Sequence, residues 1–239
     1  MPILEISHVS RFFGGLAANH DITFSLEEGT ITGLIGPNGA GKTTLFNCIT
    51  GFYPPSRGEI FFRGRRINGL GPDRICELGM ARTWQMVRPL AKMSVLDNIL
   101  VGALLRTGSV KKARELAAEQ LAVVRLEGKA RLPAGGLPIG ERKKLEMARV
   151  LATRPKLLLL DEVMGGLNPT ESEELIELIL AIKQRGVSQM VIEHHMEAIM
   201  RVSDRVVVLN SGEKLAEGTP QEVSRDRAVI DAYLGEDDA

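Results

Sequence analysis

Residues 36–44 read Gly-Pro-Asn-Gly-Ala-Gly-Lys-Thr-Thr, and this stretch limits the fold more than any other. It fits Gly-x-x-x-x-Gly-Lys-Thr, a loop between strand and helix whose backbone N–H groups turn inward on an anion. Gly36, Gly39 and Gly41 supply the backbone freedom such a turn needs. Lys42 adds a mobile cation that reaches the β- and γ-phosphates of a nucleotide, and the Thr43 hydroxyl is placed to ligate Mg²⁺. Pro37, Asn38, Ala40 and Thr44 are counted with them as nucleotide-binding positions. The flanks agree, because residues 30–35 read as a short strand and residues 45–50 as the start of a helix. Phosphates would then lie on a helix N-terminus, where N–H groups and the helix dipole favour negative charge. A glycine-rich surface loop matching by chance has no reason to sit between these two elements.

The remaining composition narrows the setting. The 239 residues suit one α/β domain or a core with an inserted subdomain, and 44% apolar residues can fill it. Thirty basic and thirty acidic residues cancel, so no global field draws nucleic acid or anionic lipid, and no nucleic-acid partner is expected. Cys48 and Cys76 have neither metal-ligand spacing nor a disulfide framework, which points to a reducing cytoplasm, with Cys48 a small packed residue. The opening Met-Pro-Ile-Leu-Glu carries no signal pattern, and no run approaches the ~18 apolar residues that cross a bilayer. Membrane association is therefore expected only through a partner.

Strands are predicted over residues 3–9 and 22–26, ahead of the loop, and over 59–62 after a turn-rich connector. Residues 87–152 turn mostly helical: Ser94 with Asp97 resembles a helix start, 111–126 a helix with a solvated charged face, 133–140 a break and 141–152 a further helix. The methionines Met80, Met86 and Met93 read as adaptable packing. Strand and helix then alternate again. Leu157 to Leu160 is a continuous apolar run suited to a strand buried on both faces. Asn168-Pro169 with Glu171 forms a capping box for a helix with an inward stripe of Leu175, Ile179 and Ile182. Residues 187–192 form the next strand, 205–210 and 214–217 a hairpin, and Thr219-Pro220 with Glu222 opens a last helical segment.

The run of four leucines ends in Asp161-Glu162. A carboxylate there lies at the C-terminal edge of a parallel sheet, beside the phosphate loop. Asp161 is predicted to hold Mg²⁺, through water. Glu162 is predicted to orient or deprotonate the water that attacks the γ-phosphate. Phosphoryl transfer needs mainly positioning and charge neutralisation, so this short set is nearly a full active site.

With these motifs in place the chain resembles the ATP-binding subunits of ABC transporters over nearly its whole length. The resemblance implies an α/β P-loop NTPase core, ABC-type and RecA-like. It has a mixed sheet with flanking helices, an inserted helical subdomain and an N-terminal antiparallel β region. It implies a single domain over 1–239, with 1–86 and 153–239 as nucleotide-binding core and 87–152 as the helical subdomain. Phe13 matches the aromatic residue that stacks on adenine. Gln85, in Ala-Arg-Thr-Trp-Gln, matches the Q-loop glutamine that touches the Mg²⁺ and water region and joins core to subdomain. Residues 137–141 fall at the ABC signature, Gly166-Leu167-Asn168 at the D-loop, and His194, chosen over His195 on the Glu-His-x-Met pattern, at the switch histidine facing the γ-phosphate.

The signature departs from the usual Leu-Ser-Gly-Gly-Gln: Pro138, Ile139 and Glu141 replace Ser, Gly and Gln. Pro138 offers neither hydroxyl nor N–H, so Gly140 and its neighbouring backbone remain to face the ATP of an opposite subunit. Arg-Phe-Phe-Gly-Gly-Leu, Ala-Arg-Thr-Trp-Gln-Met-Val-Arg, Gly-Leu-Asn-Pro, Ile-Glu-His-His-Met-Glu and Ala-Tyr-Leu-Gly resemble importer subunits for branched-chain amino acids and related solutes. That implies ATP hydrolysis with Mg²⁺, a second ABC ATPase subunit, transmembrane permease subunits, indirectly an extracytoplasmic solute-binding protein, and a place on the cytoplasmic face of the membrane. Two rival functions are a soluble ABC ATPase of DNA repair or translation and a non-hydrolytic nucleotide sensor. The long coiled coil or duplicated domain usual in the first is not seen.

Overall fold

Alternation of apolar and polar residues drives the first two strands. Ile22, Phe24 and Leu26 are buried while Thr23 and Ser25 are exposed, the period of a sheet with one wet face. In the computed structural model, which describes residues 2–193 and 195–234, β1 (Pro2–Phe13) pairs antiparallel with β2 (Leu16–Glu27), Leu4 opposite Leu26 and Ile6 opposite Phe24. The loop strand β3 (Ile31–Ile35) and helix α1 (Lys42–Ile49) follow. Next, β4 (Arg57–Phe62) and β5 (Arg65–Arg66) return to complete a four-stranded sheet ordered β2-β1-β4-β5.

Helix α2 (Pro72–Leu78) leads into β6 (Met80–Arg82). Three helices come next, α3 (Val95–Leu104), α4 (Val110–Val123) and α5 (Ile139–Leu151), and they pack on one another. Strand β7 (Leu157–Asp161), α6 (Pro169–Gln184), β8 (Ser188–Ile192), α7 (Met196–Val202), β9 (Arg205–Asn210), β10 (Glu213–Gly218), α8 (Pro220–Val223) and α9 (Arg227–Leu234) close the chain. The second sheet has six strands ordered β10-β9-β3-β8-β7-β6, parallel throughout except for β10.

Burial explains why β7 is all leucine before its carboxylate. Leu157 and Leu159 enter the core shared with the antiparallel sheet and α1, while Leu158 and Leu160 enter the core under the helices. A strand covered on both faces has no use for polar alternation, and each fully buried leucine contributes about 1.5–3 kcal/mol. Cys48 is packed as expected, and burial pushes its thiol up to about 11. Among the described residues no helix is long and apolar enough to cross a membrane.

The helix starts read from sequence are present. Ser94 accepts the Asp97 N–H, and capping boxes join Asn168 to Glu171 and Thr219 to Glu222. Several elements differ. The first two strands run further than the apolar alternation indicated. Helix α5 starts at Ile139 rather than 141, because Pro138, with its fixed φ of −57°, serves as its N-cap. Helices α2 and α7 and strand β6 were not foreseen; β6 spans three residues, too few to display a period, and exists because it pairs with β7.

Candidate functional site

The loop between β3 and α1 is shaped by two glycines. Gly36 has φ 150°, and a Cβ there would lie 2.0 Å from the Leu209 carbonyl oxygen. Gly41 caps α1 at φ 94°, and a Cβ would fall 2.3 Å from the Ala18 oxygen. With glycine as N-cap, no side chain closes the N-terminus of α1, which leaves that end to an anion. Lys42 is buried, and its Nζ donates to the Gly36 oxygen at 2.5 Å and the Pro37 oxygen at 2.8 Å.

A cleft of about 520 Å³ opens over this loop. Asn38, Gly39, Ala40, Gly41, Lys42, Thr43 and Thr44 line it, together with Phe13 and Glu162. Gly36 and Pro37 are buried and do not line it. Phe13 is itself braced: the Arg11 guanidinium stands 4.6 Å from its ring centre and Tyr53 meets it edge-on at 5.4 Å.

Thr43 also borders a second cleft, of about 510 Å³, together with Gln85 and Asp161. Asp161 is buried and pairs with Arg82, Nη2 to Oδ2 at 2.5 Å. Arg82 comes from β6, donates from Nη1 to Asn47 Oδ1 at 2.6 Å, and lies over the Trp84 ring at 4.5 Å. Mg²⁺ takes oxygen ligands in an octahedron and is usually held by one or two carboxylates plus substrate phosphates and waters. No group of three or more His, Cys, Asp or Glu among the described residues could hold a metal by itself. Two carboxylates border that cleft, and with Glu146 engaged by the Trp84 N–H, Asp161, the Thr43 hydroxyl and the Gln85 amide suit an ion held largely by its substrate, so the donor set fits.

Glu162 has a left-handed backbone, φ 49°, a conformation that costs a non-glycine residue about 1–2 kcal/mol. Its N–H donates to the Ile192 oxygen at 2.9 Å. Its carboxylate accepts from Gln85 Nε2 at 2.5 Å, and its carbonyl accepts from Lys143 Nζ at 3.2 Å. Lys143 and Glu146 both project from α5 and are buried. Burial pushes the Glu146 carboxyl up to about 7, against the pull of Arg149, the Trp84 N–H and Lys143, and burial likewise lowers Lys143. Glu146 accepts the Trp84 N–H at 3.2 Å.

The structure therefore gathers Phe13, residues 38–44, Gln85, Asp161 and Glu162 around two adjoining clefts that share Thr43. Gly140 stands apart. It lies in the first turn of α5, buried against Glu171, whose Oε1 would be 2.6 Å from an added Cβ, and it lines neither cleft. His194 falls outside the described residues. One expectation is corrected: Met80 is packed, but Met86 and Met93 are exposed, Met86 on the second cleft with Trp84. Met86 lies where β6 has ended, so no strand carries it into the core.

Sequence reasoning missed Arg82, Asn47, Lys143 and Glu146. Arg82 follows Met80-Ala81 and Glu146 stands between Leu145 and Met147, each a charge with apolar neighbours; Asn47 and Lys143 carried no such signal.

Comparison with known proteins places these features in context. The family described as "ABC transporter" matches residues 19–165. The family described as "Branched-chain amino acid ATP-binding cassette transporter" matches residues 213–239. The high-affinity branched-chain amino acid transport ATP-binding protein BraF of Pseudomonas aeruginosa is 42% identical, the alignment covering 98% of each chain. The crystal structure of the ADP conformation of MJ1267, an ATP-binding cassette of an ABC transporter, superposes with a TM-score of 0.90 at 30% identity, over 98% of this chain and 99% of that one. The dimeric structure of MJ0796, a bacterial ABC transporter cassette, shares the fold with a TM-score of 0.82 at 23% identity, over 91% of this chain and 98% of that one.

Proposed function

The chain belongs to the ATP-binding proteins of ABC transporters, in the branched-chain amino acid transport branch, and on this premise we propose how its residues bind ATP, hydrolyse it and pass the result to a transporter. As a member of that family it is a transport-coupled ATPase. The adenine stacks on Phe13, which Arg11 and Tyr53 hold in place. The triphosphate lies over residues 38–44, its charge met by N–H groups at the start of α1 and by Lys42, which exchanges its loop carbonyl partners for phosphate oxygens.

Mg²⁺, when bound, neutralises charge on the β- and γ-phosphates; Thr43, Gln85 and Asp161 are the residues that would hold it, Asp161 through water. Glu162 takes the proton of the attacking water, and Gln85 orients the Glu162 carboxylate. His194 is proposed to contact the γ-phosphate. The observation that carries this reading is the 2.5 Å contact between Gln85 and Glu162 at the junction of the two clefts.

Gly140 and the start of α5 would complete the ATP site of a second ABC ATPase subunit, as a dimer of the kind seen for MJ0796 allows. Closing over ATP then makes contacts that the open pair lacks, and hydrolysis removes them. Residues 87–152 form the subdomain that carries this motion to transmembrane permease subunits on the cytoplasmic face of the membrane. The cargo is a branched-chain amino acid or related solute, delivered by an extracytoplasmic binding protein.

Glu162→Gln tests the core of this proposal. In the reconstituted transporter, ATP turnover is expected to fall roughly 10²–10⁴-fold, as for other positioned bases, while ATP binding persists. Near-normal turnover would overturn the assignment of Glu162.

A further inference from the structure

Helix α5 opens with the signature residues, and one turn further on it carries two buried charges, Lys143 and Glu146, 5% and 3% exposed. Burying an ammonium and a carboxylate costs several kcal/mol per ion unless close partners repay it, and apolar residues would serve helix packing better. Both charges meet backbone groups on either side of the Gln85–Glu162 contact. Lys143 Nζ donates to the Glu162 carbonyl at 3.2 Å. Glu146 Oε1 accepts the N–H of Trp84, the residue before Gln85, at 3.2 Å.

The turn that Lys143 grips needs such a hold. Glu162 is left-handed, a conformation that costs a non-glycine residue about 1–2 kcal/mol. Its N–H is tied to Ile192, and the N–H of Met164 is tied to Glu193 Oε1 at 2.7 Å. The carbonyl between them accepts the Gly165 N–H at 3.4 Å from within the turn and Lys143 Nζ at 3.2 Å from α5. Glu193, Glu146 and Glu162 all favour the charged form of Lys143 against burial.

We propose that Lys143 and Glu146 are positioning residues, a two-point clamp by which α5 sets the Glu162 carboxylate against Gln85 within the same chain. Lys143 lines neither cleft, and Glu146 borders only the second, where it is engaged by the Trp84 N–H. Lys143 fixes the backbone from which the Glu162 side chain departs, and Glu146 fixes the backbone from which Gln85 departs. The helix that offers its first turn to a partner's ATP thus shapes, with its second, the hydrolytic centre of its own chain. The proposal rests on the reading that Glu162 activates water.

A double-mutant cycle in the full transporter complex tests it. Lys143→Met is expected to lower kcat at least about tenfold, with the KM for ATP and the affinity for a fluorescent ATP analogue within about twofold of the parent. Lys143→Arg is expected to restore most of that loss. In single-turnover measurements on a Glu162→Gln background, Lys143→Met is expected to have little further effect, because the group it positions is gone. An equal fold-loss in both backgrounds, or no loss in either, would overturn the clamp. If Lys143→Met fails to fold, Glu146→Gln and Glu146→Ala enter the same cycle: the amide keeps the Trp84 bond and is expected to keep turnover, while the alanine is expected to lose it. Equal activity of these two would likewise overturn the clamp. Failure of the underlying reading is seen separately, as normal turnover in Glu162→Gln alone.

Discussion

Arg82 Nη2 lies 2.5 Å from Asp161 Oδ2, and each side chain is only 4% exposed. This buried pair joins β6 to the end of β7, and Arg82 extends it to Asn47 on α1. Removing one partner of a buried pair strands the other charge, at a cost of about 3–5 kcal/mol. Arg82→Met is therefore expected to lower unfolding free energy by that amount in denaturant titrations. Arg82→Lys is expected to recover only part of it, since an ammonium lacks the planar fork that reaches Asp161 and Asn47 together. A loss below about 1 kcal/mol for Arg82→Met would show that the pair holds nothing together.

Glu146 gives stability a pH dependence with a definite sign. Its carboxyl is raised from 4.5 to about 7, so the folded chain binds a proton that the unfolded chain has already lost between those values. Stability contributed by this group is present below about pH 4.5 and falls as pH rises through 7. A shift of this size corresponds to about 3 kcal/mol. Glu146→Gln removes the dependence. Its stability relative to the parent should rise by that order between pH 4.5 and 8, read from denaturant midpoints at each pH. A flat difference would contradict the burial argument.

Phe13 predicts a split between base and phosphate recognition. Stacking a base on an aromatic ring contributes about 1–3 kcal/mol. Phe13→Ala should weaken ATP binding roughly 5- to 150-fold on that basis and leave tripolyphosphate binding unchanged, both read by calorimetry. Equal loss for both ligands would place Phe13 in loop stability rather than in base contact.

Gly36→Ala tests the loop geometry. The added methyl would sit 2.0 Å from the Leu209 oxygen, a clash with backbone that only movement of the loop or of β9 relieves. Nucleotide affinity should fall at least about tenfold, because a displaced loop no longer aims its N–H groups at the phosphates. Gly39→Ala, where nothing lies within 4 Å of the new carbon, pays only for its left-handed φ of 76°, about 1–2 kcal/mol. Equal affinity losses for the two variants would contradict the steric account.

Much of the site was legible because its chemistry is local. The glycines that let the loop turn and the lysine and threonine at the start of α1 sit within nine residues, and the carboxylates directly follow the strand that positions them. Helix caps were legible for the same reason: Ser94, Asn168 and Thr219 each bond a residue three positions on. The short elements were not. Strand β6 and the exposure of Met86 depend on where β7 lies, and no window of sequence contains that information. Lys143 was hidden by its helix, where a charge reads as solvated face until another segment covers it.

By itself the sequence determined the chemical parts, the strand–loop–helix order around residues 36–44, and the alternate leucines that commit β7 to two cores. Tertiary structure alone decided that Arg82 would neutralise Asp161, that Gln85 would meet Glu162 across 77 positions, and that α5 would bring Lys143 under the Glu162 carbonyl. These contacts join residues far apart in the chain. They form only when the packing of β6, β7 and α5 fixes distances that no local propensity encodes.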